Sequence, residues 1–179
     1  QYTIKKKCIM KSYDLITVGS GLVDAFIPIE KFEKNNEICF PVGEKIEIKD
    51  ILFSIGGGGI NAAICASKLG LISGFIGKIG SGNNSKIILR ELKRTNVDFL
   101  GITSKFHTGY SIILDTHTKS GTILTYKGAT NHLAYKDINL KRLKTKWMHF
   151  TSMGEQSFKT QIKLIKFIKK NKIKISFNP

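Results

Sequence analysis

The chain has 179 residues, and 41% of them are hydrophobic, which is enough apolar material for one packed domain or a large part of one. This composition argues against a disordered chain. There are 29 Lys and Arg residues against 13 Asp and Glu, which gives a formal net charge of +16. Because the lysines recur throughout the sequence, we interpret the charge as a solvated lysine-rich surface. A basic nucleic-acid-binding protein is the less favoured alternative.

The first half of the chain alternates strands with a helix. Residues 1–12 precede the first apolar run, and we expect them to be an N-terminal extension. Short apolar or alternating runs predict one buried strand, two exposed antiparallel strands and a fourth strand, at residues 13–19, 24–32, 44–55 and 73–80. Apolar residues at helical spacing, which end before Gly70, predict a helix over residues 61–69.

The second half continues the alternation. Asn84 and Ser85 can cap a helix that runs to Arg94. Two β-rich runs, at residues 110–115 and 122–126, flank the sequence THTKSG and predict a hairpin. The other predicted elements are an extended segment, a short helix, a strand, a long helix and a final strand, at residues 97–102, 136–143, 147–152, 158–170 and 173–177.

The long helix places Ile162, Ile165 and Ile168 on one face, opposite lysines. A basic amphipathic helix of this kind also suits a membrane surface. Because a strand follows at once, we interpret it as the outer helix of an α/β unit.

Together these elements predict an α/β fold: a mainly parallel sheet flanked by helices, with a small second sheet from the two alternating regions. The sequence ends on a strand, ISFNP, with no helix to cover it. We therefore expect that the C-terminal part of the fold is missing from these residues.

The spacing of the cysteines and histidines indicates the redox environment of the protein and whether it has a structural metal site. The three cysteines are odd in number and far apart, and the four histidines show no ligand pattern; they are Cys8, Cys39, Cys65, His107, His117, His132 and His149. This predicts a reducing, cytoplasmic environment and no structural metal. No apolar run is long enough to cross a membrane, so we expect no membrane partner.

Two glycine-containing motifs come close to known phosphate-binding patterns and fail. A P-loop at Gly77-Lys78 has Ile79 where Ser or Thr must bind the metal, and Ile72 where the first Gly must turn. A dinucleotide fingerprint beginning at Gly19 places Asp24 where a small residue must let helix and strand pack.

A third glycine-rich stretch, SIGGGGINAA, runs into the first predicted helix. Bare backbone from Gly56 to Gly59 lets a small molecule approach the main chain, and helix N–H groups with the Asn61 side chain can bind its hydroxyl or anionic groups. The alternative is that the glycines form a tight turn and Asn61 caps the helix. Asp24 favours the ligand interpretation, because it follows a buried strand and its carboxylate can accept hydrogen bonds from neighbouring sugar hydroxyls.

These residues together resemble the ribokinase-like (PfkB) carbohydrate kinase family, from about Tyr13 to Pro179, the N-terminal part of a member. The matching segments in chain order are GSGLVD, GGGGINAA, FIGKIG followed by IILRELKRTNVD, TGYSIIL, YKGATNHL and ISFNP. We therefore expect residues 13–179 to be the N-terminal part of a ribokinase-like kinase domain.

The resemblance implies an enzyme that transfers the γ-phosphoryl group of ATP, with magnesium, to a hydroxyl of a sugar or nucleoside. It implies that Asp24 binds sugar hydroxyls and that Gly57, Gly58 and Asn61 form the substrate loop. Strands within about residues 24–54 and 109–126 would form a lid that closes over the sugar, keeps water from the phosphoryl group and often makes a homodimer contact.

The sequence departs from the family at several positions. Leu22 stands where ribokinases carry Asn and Gly58 where they carry Lys, which makes ribose itself doubtful; nucleoside and ketosugar-acid kinases of the family tolerate such changes. The segment GSGNNS, from Gly80 to Ser85, replaces the usual acidic motif.

The family's catalytic aspartate lies in a G-A-G-D motif, which does not occur in these 179 residues. We therefore assign no catalytic residue here, and expect that residue and the nucleotide site beyond Pro179, so that these residues alone are inactive. The rival interpretation is a sugar-binding or dimerising module without catalysis.

Overall fold

The computed structural model describes residues 11–29, 32–35, 37–116 and 121–179. The strands are β1 (Tyr13–Val18), β2 (Leu22–Pro28), β3 (Glu33–Lys34), β4 (Glu37–Ile38), β5 (Leu52–Gly56), β6 (Ser73–Ile76), β7 (Lys78–Ser81), β8 (Asp98–Phe99), β9 (Ile102–His107), β10 (Gly109–Asp115), β11 (Thr122–Tyr126), β12 (Thr145–Thr151) and β13 (Lys174–Asn178). The helices are α1 (Gly58–Lys68), α2 (Asn83–Arg94) and α3 (Glu155–Lys170). Three 3₁₀ turns span Gly128–His132, Tyr135–Asp137 and Leu140–Arg142.

The main sheet has five strands in the order β13-β12-β1-β6-β8, and every pairing is parallel. β1 lies at its centre, where Ile16, Thr17 and Val18 are completely buried. Because all five strands run the same way, their carboxyl ends lie at one edge of the sheet. The predicted mainly parallel sheet flanked by helices is confirmed.

A small sheet has the strand order β11-β10-β2-β5, and three residues separate its first strand in the chain, β2, from the end of β1. Its outer pairs, β2 with β5 and β10 with β11, are antiparallel, and β10 runs parallel to β2. The predicted second sheet and the predicted β10–β11 hairpin are confirmed. Residues 117–120, which include His117, lie outside the described residues, as do Cys8 and most of the predicted N-terminal extension.

Two buried clusters hold the layers together. Leu164 and Ile168 of α3 pack on one face of the main sheet, against Val18, Met148 and Phe150. On the other side, residues of α1, α2 and both sheets meet in a second cluster: Val23, Ile60, Ala63, Phe75, Ile79, Ile88, Leu92 and Val97. Since Val23 belongs to the small sheet, this cluster joins the small sheet to the main one.

One predicted strand is split in the structure. Residues 73–80 form β6 and β7, separated at Gly77, where a Cβ atom would lie 2.9 Å from the carbonyl oxygen of Gly19. β7 leaves the main sheet and pairs with β9. The predicted extended segment 97–102 divides in the same way, into β8 and the start of β9, because Gly101 packs against Gly77.

Two other predicted elements differ from the structure, a strand that is shorter than predicted and a helix that is replaced by 3₁₀ turns. Of residues 44–55, only the part in β5 is a strand, because the ladder with β2 stops before Pro28, which has no N–H to donate. The predicted short helix at residues 136–143 is two 3₁₀ turns. The Asp137 carboxylate accepts a hydrogen bond from Ala134 N (2.9 Å) and the Asn139 side chain accepts one from Lys141 N (3.2 Å), local bonds that compete with a helix.

The helices also differ from prediction at their ends and faces. α2 has Gly82 as its N-cap and no side-chain cap, so the predicted capping by Asn84 or Ser85 is wrong; Ser85 Oγ instead donates to Gly82 O (2.8 Å). The outer-helix interpretation of α3 is confirmed, but Ile162 and Ile165 are 51% and 37% exposed. No helix in the described part of the chain has the length and apolar character that a membrane crossing needs.

The packing of α3 predicts that alanine substitutions at two adjacent helix positions differ strongly in their effect on stability. Leu164 is completely buried, so Leu164→Ala should lower the free energy of unfolding of the natural gene product by about 2–5 kcal/mol. Its exposed neighbour Lys163 is the control, and Lys163→Ala should change that free energy by less than about 0.5 kcal/mol. Urea titration checks both, and equal effects would contradict this packing of α3.

Candidate functional site

Two stretches of bare backbone touch at the carboxyl edge of the main sheet. A Cβ atom on Gly19, just after β1, would lie 2.7 Å from Gly59 Cα in the first turn of α1. Thr17 Oγ1 donates to the Gly59 carbonyl at 2.8 Å and holds the two segments together. Glycine at both positions therefore lets the end of the central strand and the start of a helix lie in direct contact.

Gly57 is the N-cap of α1 and has a φ of 102°, a conformation that side chains disfavour. A Cβ atom there would lie 2.6 Å from the Ser20 carbonyl oxygen. Ser20 fixes the turn from the other side, because its Oγ accepts from Gly58 N at 3.2 Å and its carbonyl accepts from Ile60 N at 3.2 Å. The glycine run thus forms both the turn and the first residues of the helix, which begins three residues earlier than predicted.

Gly58 packs against Thr151 at the end of β12. A Cβ atom on Gly58 would lie 3.0 Å from both Thr151 Cβ and Oγ1, so Thr151 fills the space next to position 58. Thr151 is 5% exposed, and its hydroxyl finds no hydrogen-bond partner within the described residues. Crowding by Thr151 explains why glycine suits position 58.

Asn61 lies in the first turns of α1 rather than at its cap. Its backbone N–H donates to Gly57 O at 3.0 Å, and its side chain is exposed. The interpretation of Asn61 as the helix cap is therefore wrong. Gly57, Gly58 and Asn61 belong to the N-cap and the first turns of α1.

Asp24 is the third residue of β2, within the small sheet, and not directly at the end of a main-sheet strand. Its Oδ2 lies against the α-carbon of Gly56, where any Cβ atom would overlap it. We call the turn at Gly57, which leads into α1, the glycine turn. Gly56 immediately precedes Gly57, so the structure brings the carboxylate to the beginning of the glycine turn. The two halves of the predicted site therefore meet through Gly56.

The surroundings of Asp24 form a polar row across the small sheet. Strand register places Ser54, Asp24, Ser111 and Thr125 side by side on one face. Ser111 Oγ donates to Thr125 Oγ1 at 3.3 Å. Burial raises the pKa of the Asp24 carboxyl above its ordinary value, and a hydrogen bond with Ser111 partly opposes this rise.

A small pocket opens beside the glycine turn. Its walls are Ser20 after β1, residues 152–154 after β12, and Lys127, Thr130 and Asn131 at the first 3₁₀ turn. Its volume is about 170 Å³. None of the four predicted site residues lines it, but Ser20 is shared with the Gly57 turn. We call this space the side pocket.

The sequence missed the residues of the side pocket. Residues 152–154 follow a parallel strand, which is a usual position for ligand contacts and a signal that could have identified them. Lys127 and Thr130 lie in YKGATNHL, whose part in the site depends on how that segment folds back onto the β1–β2 connection. Thr130 Oγ1 lies 3.5 Å from Gly21 O, directly before β2.

Metal ligands do not converge in the described ranges: no three His, Cys, Asp or Glu side chains there are arranged to hold an ion. The donors around the glycine turn are hydroxyls, amides and a single carboxylate. These residues by themselves do not fit a magnesium ion, and we derive no step through magnesium or ATP.

The contact between Gly57 and Ser20 predicts that replacing Gly57 destabilises the protein more than replacing another glycine with positive φ. Gly57→Ala should lower the free energy of unfolding of the natural gene product by about 2–4 kcal/mol, because the methyl group would meet the Ser20 backbone. Gly70, with a φ of 87° and open space around it, is the matched control, and Gly70→Ala should cost about 1 kcal/mol. Urea titration distinguishes the two, and equal costs would show that the Ser20 contact is unimportant.

The raised pKa of Asp24 predicts a pH-dependent stability. The folded state binds the Asp24 proton more tightly than the unfolded state does. The contribution of Asp24 to the free energy of unfolding therefore falls as the pH rises above the ordinary pKa of 3.8. Asp24→Asn should therefore be more stable than the unaltered protein at neutral pH, and the difference should shrink on acidification. The midpoints of urea unfolding, measured from neutral to acidic pH, test this difference. The control is Asp115→Asn, because Asp115 is exposed. A pH-independent difference would contradict the burial of the carboxylate.

Known proteins with similar sequences are kinases by name. The chain is 27% identical over 127 residues to a ribokinase of Staphylococcus aureus, covering 69% of this chain and 40% of that protein. It is 27% identical over 176 residues to a 5-dehydro-2-deoxygluconokinase of Halalkalibacterium halodurans, covering 93% of this chain and 50% of that protein. The chain thus spans half or less of the length of these two curated relatives.

Solved structures show the same fold. The structure of an Arabidopsis thaliana ribokinase, complexed with ribose and ATP, superposes with a TM-score of 0.72 at 22% identity, covering 93% of this chain and 53% of that one. The predicted ribokinase-like fold is therefore confirmed. The model of the pfkB family carbohydrate kinases matches residues 16–163, and the chain belongs to that family.

Proposed function

We propose that the protein is a kinase that transfers the γ-phosphoryl group of ATP to a hydroxyl of a sugar or nucleoside, and that residues 13–179 carry its substrate-binding half. The observation that carries this proposal is the Asp24 carboxylate, which lies against Gly56 at the entrance to the Gly57–Asn61 turn. A carboxylate beside bare backbone at the edge of a parallel sheet suits a polyhydroxylated ligand.

Asp24 would bind and orient the sugar. Its two oxygens accept hydrogen bonds from adjacent hydroxyls, and the partial burial that raises its pKa also makes these bonds stronger than they would be in water. Gly57 and Gly58 let the sugar lie against the backbone, at the positive end of the α1 dipole. The exposed Asn61 side chain is available as a further hydrogen-bond partner.

The chemical step needs groups that these residues do not supply. By its resemblance, the family's catalytic aspartate belongs to a G-A-G-D motif, which is absent from the 179 residues. We propose that this aspartate and the sites for ATP and magnesium belong to another part of the natural protein, and that the 179 residues alone do not catalyse transfer. ATP bound there would supply the phosphoryl group.

The small sheet would act as the lid over the sugar and as a homodimer contact. Next to the polar row that contains Asp24, strand register places an apolar row on the same face: Leu52, Phe26, Ile113 and Ile123. Leu52 is 64% and Ile123 is 60% exposed. An exposed apolar strip beside a polar one suits a surface that covers a ligand and contacts a second copy.

A cytoplasmic location is part of the same proposal. Cys39 and Cys65 are free and exposed, as cysteines are in a reducing compartment. No signal in the described residues bears further on location.

The proposal predicts the effect of removing the Asp24 carboxylate. In the natural gene product, Asp24→Ala should lower kcat/KM for the sugar by about 10²- to 10⁴-fold, because two hydrogen bonds to a charged group are lost. Asp115→Asn, on the same sheet but exposed, should leave kcat/KM nearly unchanged. A coupled ADP-release assay measures both. Unchanged kinetics in Asp24→Ala would refute the site, and no phosphoryl transfer by the unaltered protein would favour a non-catalytic sugar-binding or dimerising module.

The dimer proposal has its own test. Leu52→Glu and Ile123→Glu place charges in the exposed apolar row and should convert a dimer of the natural gene product into monomers. Leu69→Glu is the control, because Leu69 is 76% exposed at the end of α1, outside the small sheet. Sedimentation velocity measures the mass of each. A monomeric unaltered protein, or dimers that survive both changes, would exclude the small sheet as the contact.

A further inference from the structure

We propose that the phosphoryl acceptor is a sugar acid and that Lys127 binds its carboxylate in the side pocket. This inference rests on the proposed function, since it names the class of sugar that the same site accepts. It assigns a specificity role to a residue outside the glycine turn. The observation behind it is the single cation in an otherwise neutral polar pocket.

Lys127 is the one charged residue among those that line the side pocket in the described part of the chain. Its ammonium group forms none of the ion pairs found among the described residues. Lys127 is exposed, and a lysine among neutral hydroxyls and amides suits an anion. Ser20 and Thr130 of the same pocket add hydroxyls that can donate to it.

The backbone of Lys127 is fixed where the small sheet meets the main one. Its carbonyl accepts a hydrogen bond from Thr130 N at 3.1 Å, and a Cβ atom on Gly109 would lie 2.9 Å from that carbonyl. The lysine therefore extends from an anchored position between β11 and the first 3₁₀ turn. A lid that closes on the sugar would carry Lys127 with it.

The other walls of the side pocket supply no cation. They are formed by Ser20 and residues 152–154, none of which carries a charge. Any positive charge in the side pocket therefore comes from Lys127, at the first 3₁₀ turn.

The number of charges favours a carboxylate over a phosphate. One ammonium group balances the single charge of a carboxylate, whereas a phosphate group carries about two charges and usually recruits several cationic or N–H donors. The volume of about 170 Å³ is below the roughly 300 Å³ of a small ligand pocket, so the side pocket holds one end of the substrate and not all of it.

The test uses the natural gene product with three acceptors: 5-dehydro-2-deoxygluconate as the sugar acid, ribose as the neutral sugar and fructose 6-phosphate as the sugar phosphate. The unaltered protein should bind the sugar acid at least about tenfold more tightly than ribose by isothermal titration calorimetry. Lys127→Met should weaken sugar-acid binding by about 10- to 100-fold and raise KM more than it lowers kcat. Ribose binding should change by less than about twofold.

Two further variants separate the charge from other effects. Lys127→Arg keeps the charge and should retain most of the sugar-acid affinity, and Lys166→Met removes an exposed lysine of α3 and should change nothing. Sugar-acid affinity should fall with added salt in the unaltered protein, and much less in Lys127→Met.

The outcomes distinguish this inference from the proposed function. Phosphorylation of ribose or fructose 6-phosphate in preference to the sugar acid, or equal effects of Lys127→Met and Lys166→Met, would overturn the role of Lys127 and leave the kinase intact. Absence of binding and of phosphoryl transfer with all three acceptors would overturn both.

Discussion

The site depends on a contact between two backbones, Gly19 at the end of the central strand and Gly59 in the first turn of α1. A Cβ atom on either glycine would lie 2.7 Å from the α-carbon of the other, and the Thr17 hydroxyl holds the two segments together. This close approach brings the N-terminus of α1 to the carboxyl edge of the main sheet. Any side chain there would move the helix away and separate its N–H groups from Ser20.

The small sheet contributes the carboxylate of the candidate site, Asp24. Only three residues separate β1 from β2, so the chain leaves the main sheet at its carboxyl edge and carries Asp24 back over the glycine turn. Gly56 in the facing strand leaves room for the carboxylate. Partial burial raises the pKa of this group above its ordinary value. The site is thus shared between two sheets that meet in one buried cluster.

Part of the apolar surface is left uncovered in these residues. Phe158, Ile162 and Ile165 of α3, with Ile175 and Phe177 of the edge strand β13, line a groove of about 270 Å³. The chain spans half or less of the two curated relatives described above. The face of α3 that the sequence predicts to be buried is therefore divided: Ile168 reaches the core and the other two isoleucines line the groove.

The sequence by itself determined the main features of the fold, because local patterns carry them. Apolar runs specify the parallel strands, and Gly70 marks the end of α1. The glycine run and Asp24 mark the candidate site. Local pattern failed where a distant contact decides the conformation: Gly77 bends because it packs against Gly19, and the strand at residues 44–55 is short because its partner ends at a proline.

Only the tertiary structure decided how the site is assembled. Asp24 meets the glycine turn through Gly56, a contact that depends on the register of β2 with β5. Thr151 fills the space beside Gly58 although 93 positions separate them in the sequence. Lys127 lines the side pocket because the 3₁₀ turn after β11 folds against the connection between β1 and β2. Such contacts join residues that are far apart along the chain. They form only when the sheets pack, and no local pattern in a single sequence predicts them.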